Sequence, residues 1–284
     1  MISKFLPADF NPSRPLAVLA GRGVYPWLTV QAIRHYHLPL RLIGFEEETR
    51  TDLIQSFEPK HRCIIKVGQL GRLLRSLAKW QAAYAIMVGQ ITPRRLFDGI
   101  HPDWRTLRML ARLKERNAET LFGAVAEAIE QKGVEMLDAR AFLEDALAEH
   151  GVISGGKLEV AESWIQHGMR MAKSIASLDI GQGVVVRKGT VLAVEAFEGT
   201  DAMLRRCQMF KTKGMVFVKV TKPNQDYRFD VPCFGLRTLE SMQKAGISLA
   251  CLEANKILIL ERDKVLQRAK EWGIQLVGIE PRSC

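Results

Sequence analysis

Short apolar runs alternate with helically spaced apolar positions through the first ninety or so residues of the chain. Leu16–Ala20, Leu40–Phe45, Cys63–Val67 and Tyr84–Val88 read as buried strands, while Trp27–His35 and Leu70–Trp80 carry helical spacing. Strands that alternate with helices imply parallel crossovers and hence a Rossmann-like open α/β sheet. Ligands of such sheets bind beyond the carboxyl ends of the strands, where Gly21–Gly23 and Gly89–Thr92 fall.

Residues 104–148 read as strongly helical, with Leu107, Leu110 and Leu113 and then Leu121, Val125 and Ile129 in phase. Gly151, Gly155 and Gly156 break that pattern, and a linker is placed there. A helix over Glu162–Ser177 follows, and the texture then turns to β at Gly183–Arg187, Thr190–Ala196, Met215–Val220, Lys256–Leu260 and Leu276–Ile279. Gly189 marks a hairpin turn, and Asp263–Trp272 reads as a helix. The expected architecture is two α/β domains: an N-terminal one over 13–148 on the nucleotide or phosphate side, a hinge or linker over 149–163, and a catalytic one over 164–284.

Composition narrows the class. The 284 residues are 47% hydrophobic and 25% charged, the balance of a water-soluble globular protein. A net charge of +10 calls for an anionic partner: nucleic acid, a membrane surface or a phosphorylated substrate. No nucleic-acid-binding motif is visible, so nucleic acid is not the expected partner. The five cysteines are scattered without a Cys-x-x-Cys pair, and the six histidines lack zinc-ligand spacing. Reduced thiols, the early Pro7 and the lack of a long apolar run lead us to expect a cytoplasmic protein without a signal peptide.

The densest polar chemistry lies in Lys222–Pro232, where Asp226 and Asp230, Lys222 and Arg228, and Gln225 stand between two prolines. Prolines hold such a segment as a shaped loop or edge strand. Carboxylates beside cations suit a divalent metal and a phosphate ester together; the bland alternative is a charged loop with internal ion pairs. A second cluster holds Glu195, Glu198, Thr200, Asp201 and Arg205-Arg206, with Thr200 or Asp201 expected to cap a helix. Gly21-Arg22-Gly23 resembles the start of a dinucleotide loop, but Pro26 stands where its third glycine belongs, leaving a phosphate-contacting turn or a plain structural turn. Glu46, first of three consecutive glutamates, could imitate a ribose-binding acid, although such a run reads as solvent-exposed charge. The Pro93–Arg116 segment is basic and amphipathic, fit either to lie on anionic lipid or to pack its apolar stripe into its own domain. No Gly-x-Ser-x-Gly elbow and no Walker loop occur, which favours metal-assisted attack by water.

Asp179–Arg206 (Asp-Ile-Gly-Gln-Gly-Val-Val-Val to Glu-Gly-Thr-Asp-Ala-Met-Leu-Arg-Arg) and Lys222–Thr238 (Lys-Pro-Asn-Gln-Asp-Tyr-Arg-Phe-Asp-Val-Pro onward) resemble the LpxI family, the UDP-2,3-diacylglucosamine pyrophosphatases of lipid A biosynthesis. The likeness runs in order through the second half to Leu252-Glu-Ala-Asn-Lys256 and Gly273-Ile-Gln-Leu-Val-Gly278. It is looser in the first half, at Leu19-Ala-Gly-Arg-Gly-Val-Tyr-Pro26 and Val88-Gly-Gln-Ile-Thr-Pro93. Departures are Gly21-Arg22-Gly23, where the family usually has three glycines, and Arg116–Thr120, where it has a Gly-Asp-Asp-like segment. These bear on first-domain contacts and on acyl-chain or nucleotide preference.

The resemblance implies hydrolysis of the substrate's diphosphate to UMP and 2,3-diacylglucosamine 1-phosphate with Mg2+ or another divalent metal, between two hinged domains. It makes Asp230 the essential aspartate, as metal ligand or as general base. Asp226, Glu195 and Glu198 are then candidate further metal ligands. Gly23, Val24, Gly89, Gln182, Thr200, Arg205, Lys222, Gln225 and Arg228 are candidate substrate contacts. A glycolipid substrate further implies peripheral contact with the inner membrane; a homodimer is an open assembly. Two other readings stand beside this one: a nucleotide-dependent oxidoreductase, and a glycolipid- or nucleotide-binding protein without catalysis.

Overall fold

The computed structural model describes residues 2–92, 102–111, 113, 117–156 and 160–281. The chain divides into two compact units, Met1–Glu144 together with Asp226–Asp230, and Asp145–Gln225 together with Val231–Cys284. The α/β class and the two-domain description both hold. A five-residue piece of the second half of the sequence belongs to the first unit, which a division at one linker does not provide for.

The first unit is built on a five-stranded sheet of β1 (Leu16–Ala20), β2 (Leu40–Phe45), β3 (Arg62–Ile65), β4 (Tyr84–Val88) and β5 (Glu135–Met136), in the order β3-β2-β1-β4-β5. Every pairing is parallel. Helices α1 (Tyr25–His35), α2 (Thr51–Gln55), α3 (Leu70–Lys79), α4 (Trp104–Leu110) and α5 (Ala118–Glu130) complete it. β1 and β4 are buried along their whole length, as the unbroken apolar runs require of strands covered on both faces. Residues 104–148 do not form the continuous helix that the spacing predicts. Gly133 at φ 75° follows α5, and the apolar run behind it, with Val134, Met136 and Leu137 all buried, goes to the sheet as β5 and the turn beyond it.

Strand order reverses between β1 and β4, and the two turns leaving them are bonded to each other. Arg22 N–H donates to Gln90 O at 2.6 Å and Gln90 N–H to Arg22 O at 3.1 Å. A Cβ at Gly21 would lie 2.6 Å from Gln90 O, so only glycine admits this approach. Gly89 sits at φ 90°, and a Cβ there would meet Pro26 Cγ at 2.7 Å and Arg22 O at 2.8 Å.

The second unit holds a six-stranded sheet ordered β6-β13-β11-β9-β7-β8. Its strands are β6 (Gly151–Ser154), β7 (Gly183–Arg187), β8 (Thr190–Val194), β9 (Met215–Lys219), β11 (Ile247–Glu253) and β13 (Gln275–Ile279). The centre is parallel, β9 to β11 to β13, and β7, β8 and β6 run antiparallel to their neighbours. A two-stranded pair, β10 (Cys233–Phe234) and β12 (Leu258–Ile259), lies apart from it. Helices α6 (Glu162–Ser177), α7 (Thr200–Arg206), α8 (Leu236–Ala245) and α9 (Arg262–Glu271) accompany these strands. Two apolar clusters form the core, one with Phe217, Phe234, Leu239 and Leu252, the other placing Ile165, Met169 and Ala172 of α6 against Val184, Val216 and Val218. The segment read as linker carries β6, an edge strand of this sheet.

Gly89→Ala is expected to destabilise the protein by about 1–3 kcal/mol, because the substitution combines a positive φ with a backbone collision. Urea unfolding checks this, and a midpoint equal to that of the parent chain would refute it.

Candidate active-site residues

In the first unit the arm Asp226–Asp230 forms a compact turn, with Asp230 N–H donating to Asp226 O at 3.0 Å. Arg228 folds back on Asp226: its Nη2 lies 2.7 Å from Oδ2, its Nε 3.0 Å from Oδ1, and its N–H also reaches Oδ1 at 3.0 Å. Arg228 Nη1 contacts both oxygens of Glu130 on α5, at 3.0 and 2.9 Å. Burial pushes the Asp226 carboxyl up, but the hydrogen bonds and charge of Arg228 outweigh it and hold the carboxyl below its ordinary value. The same bond to Asp226 leads the effects that raise Arg228, which keeps its charge throughout.

The rest of the arm is fixed by rings and backbone. The Arg140 guanidinium carbon lies 3.5 Å from the centre of the Tyr227 ring and 4.2 Å from that of Phe5, and Asp138 grips that guanidinium at 2.6 Å. Phe229 packs near Phe122. Ala139 N–H donates to Tyr227 O at 2.7 Å, while Ala139 O accepts the hydroxyl of Tyr25, the first residue of α1. One residue therefore ties the arm to the helix that follows Gly23-Val24. The Tyr227 hydroxyl itself is buried without a hydrogen-bond partner.

In the second unit the polar groups gather where β7 begins and where β8 and β9 end. Lys219, the last residue of β9 and almost fully buried, donates to Thr200 Oγ1 at 2.9 Å and lies 3.5 Å from Glu195 Oε2. The Thr200 hydroxyl donates to Glu195 Oε1 at 2.5 Å. Glu195 Oε2 is buried and has no hydrogen bond, so the Lys219 charge is its compensation. Neither Thr200 nor Asp201 caps α7. The cap position is Gly199 at φ 77°, Thr200 is the first helical residue, and Asp201 instead accepts from Thr238 at 2.9 Å.

Just beyond β9, Thr221 is fully buried and gives both its N–H (2.8 Å) and its hydroxyl (3.0 Å) to Glu253 Oε2. Lys173 of α6 binds both Glu253 oxygens, at 2.7 and 2.6 Å, and Thr221 O at 3.0 Å. Burial pushes the Glu253 carboxyl up, but the bonds from Lys173 and Thr221 and the charges of Lys173 and Lys256 bring it below the ordinary 4.5. The next residues are held as well: Lys222 pairs with Asp179, and Gln225 Oε1 accepts from Gln182 Nε2 at 2.8 Å and from Lys222 N–H at 3.1 Å.

The predicted residues thus sort into two groups. Gly23, Val24, Gly89, Asp226, Arg228 and Asp230 belong to the first unit, and Gln182, Glu195, Glu198, Thr200, Arg205, Lys222 and Gln225 to the second. Glu198 is paired on the surface with Arg206 at 2.9 Å, and Arg205 is exposed in the last turn of α7. Among the described residues no three His, Cys, Asp or Glu side chains gather as a metal set. Sequence reasoning missed Lys173, Lys219, Thr221 and Glu253; the buried polar ends of β9 and β11 were the available signal. It also read the three glutamates after β2 as solvent-facing charge, whereas Glu48 is buried and accepts from Thr92 N–H at 3.3 Å and Thr92 Oγ1 at 3.0 Å.

Two family models meet this chain, the LpxI N-terminal domain over residues 15–146 and the LpxI C-terminal domain over 149–277. The chain belongs to the LpxI family. It is 29% identical over 283 residues, 95% of this chain and 99% of the relative, to the UDP-2,3-diacylglucosamine pyrophosphatase LpxI of Caulobacter vibrioides. Among solved structures it is similar to the UDP-glucose 4-epimerase of Thermus thermophilus in complex with NAD (15% identity, TM-score 0.32, 94% of this chain and 87% of that one). It is also similar to isoflavone reductase (12% identity, TM-score 0.28, 94% and 78%). At those scores neither structure bears on the chemistry. The LpxI family is one of enzymes.

Glu253→Gln is expected to lose about 3–5 kcal/mol of stability, since it leaves Lys173 beside a buried neutral group. The Glu253 carboxyl lies below its unfolded value, so its contribution is present above that value and disappears as pH falls through the folded one. Unfolding measured from neutral to acidic pH should therefore show a shallower acid limb in the variant than in the parent. Equal limbs would show that the pair does not carry this linkage.

Proposed function

We propose that this enzyme hydrolyses the diphosphate of UDP-2,3-diacylglucosamine, releasing UMP and 2,3-diacylglucosamine 1-phosphate. Full-length similarity to the Caulobacter pyrophosphatase supports the substrate. The observation that carries the chemistry is the arm, two carboxylates on one turn whose conformation is fixed by Arg228, Arg140 and the Ala139 backbone. In the reaction the oxygen of water forms a new P–O bond while the bridging P–O bond breaks, and the proton of water passes to a base. Rigid placement of charged groups where phosphate charge develops lowers that barrier by preorganisation.

Roles follow from the surroundings. Asp226 is committed to Arg228 and stays ionised, which suits a positioned anion better than a proton acceptor. Asp230, held to Asp226 O through its backbone, is the residue to which we assign the reacting carboxylate. Lys219 and Lys222 supply positive charge in the second unit, and the Thr200 hydroxyl between Glu195 and Lys219 is a preset donor or acceptor for a phosphate oxygen.

Mg2+ enters this reading as a proposal. When bound it would neutralise diphosphate charge and activate water. Mg2+ is commonly carried by one or two carboxylates plus substrate phosphates, and Asp226 with Asp230 fits that pattern, whereas nothing among the described residues fits a cage of three or more acids. Glu195, Glu198 and Asp226 are each engaged by a cation, Lys219, Arg206 and Arg228 respectively, so a metal bound to any of them would share that carboxylate with its present partner. A bilayer-borne glycolipid is reached from the membrane surface; none of the described helices is long and apolar enough to cross a membrane, which accords with peripheral contact.

UMP release from UDP-2,3-diacylglucosamine should need divalent metal, stop with chelator, and fall about a thousandfold or more in Asp230→Ala. If Asp230 is a ligand, Asp230→Asn will raise the metal concentration for half-maximal rate; if it is the base, the variant will lose the acid limb of the pH–rate profile instead. Undiminished release in Asp230→Ala would dismiss the assignment. Lys219→Met is expected to raise KM and lower kcat together by about tenfold or more, since it removes a charge and frees Glu195; unchanged constants would leave Lys219 with no part in the reaction.

A further inference from the structure

We propose that the outward face of α3 and α4 in the first unit is a docking surface for an anionic phospholipid bilayer. The inference deepens the lipid-substrate reading, on which it rests for its purpose but not for its chemistry. α4 is held from beneath: the Asp103 carboxylate accepts from Gly71 N–H of α3 at 2.5 Å and from Thr106 N–H at 3.0 Å, and the buried Thr106 hydroxyl reaches Gly68 O. Met109 on the same helix packs against the core of the unit. With those contacts fixed, Trp104 and Leu107, three residues apart, face outward, 77% and 46% exposed.

Exposed cations lie on the same two helices. Arg105 and Arg108 on α4 are exposed, as are Arg72, Arg75 and Lys79, which form the stripe of α3 opposite its buried Leu70, Leu73, Leu74 and Leu77. The two helices bring these charges together: the Arg75 guanidinium and the Arg105 chain each come to 3.4 Å of a Cβ placed on Gly71. None of the five has an ion-pair partner among the described residues, and Asp103, at the head of α4, spends its oxygens on backbone N–H groups and Thr106. An indole and a leucine held out of a fixed base, with exposed cations on the same two helices, match an anionic headgroup layer, with the apolar side chains at the acyl boundary and the guanidiniums among phosphates. A second copy of the chain fits poorly, since a twofold contact would press this cationic face against itself.

The full chain should pellet with phosphatidylethanolamine–phosphatidylglycerol vesicles at low salt, release at high salt, and ignore pure phosphatidylcholine. Trp104→Ala/Leu107→Ala is expected to weaken partitioning about tenfold or more, and Arg75→Gln/Arg105→Gln about thirtyfold, with both variants melting like the parent. Partitioning of either variant equal to the parent's would overturn the proposal, as would an oligonucleotide that binds this face in preference to vesicles. Hydrolysis of a detergent-dispersed substrate, measured on the same preparations, separates the two readings. Variants that hydrolyse at the parent rate but no longer pellet support the docking surface; a parent that pellets without hydrolysing supports it too, while removing the pyrophosphatase assignment.

Discussion

The polar centre of the second unit hangs on one buried carboxylate. Glu253 ends the central strand β11 with 1% of its surface exposed, and an ionised acid there is unfavourable unless every lone pair is answered. Lys173, Thr221 and Lys256 answer them, and in doing so they tie α6 to the ends of β9 and β11. A buried ion pair adds little net stability over a well-packed apolar group, so its value lies in specifying a position. The position specified is that of Thr221, the residue from which the chain departs into Lys222–Asp230. Register along β9 also decides which of its residues face Glu195, and Lys219, two residues before Thr221, is one that does.

Much of this was legible beforehand, for identifiable reasons. β1, β2 and β4 are dense apolar runs, and a run that is buried on both faces advertises itself. The glycine turns after β1 and β4 stood out because each does something no other residue can: one admits a backbone at van der Waals limit, the other bends to positive φ. β11 escaped notice because Ser248, Ala250 and Cys251 dilute its apolar character, and its pairing on both sides is a tertiary fact. β6 escaped because glycines flank it, which in sequence reads as a break. The long helical reading of 104–148 failed at Gly133, where a helical phase continued on paper past a residue that turns the chain. Arg94, Arg95, Arg112, Lys114 and Arg116 of the basic segment lie outside the described residues, so that reading rests on Trp104–Leu110.

Of the candidate site, residue types were easier to name than partners. Asp226, Arg228 and Asp230 were singled out as a mixed-charge group, yet sequence spacing could not tell that Arg228 closes onto Asp226 and reaches Glu130, almost a hundred residues earlier in the chain. Glu195 and Thr200 were named, but their common partner Lys219 sat inside an apolar strand where a lysine reads as an edge residue. Glu195 Oε2 and the Tyr227 hydroxyl are buried among these groups without a hydrogen bond, a cost that the sequence pattern gives no sign of.

The passage of Asp226–Asp230 into the first unit has a consequence for how such a protein can be divided or inherited. A chain cut near residue 148 would yield a first half lacking the turn that covers Phe122 and Arg140, and a second half carrying that turn with nothing to pack it. The two family models divide the sequence between residues 146 and 149, whereas the first compact unit also takes in Asp226–Asp230. Recombination at the linker would therefore have to bring matched partners for five residues far downstream.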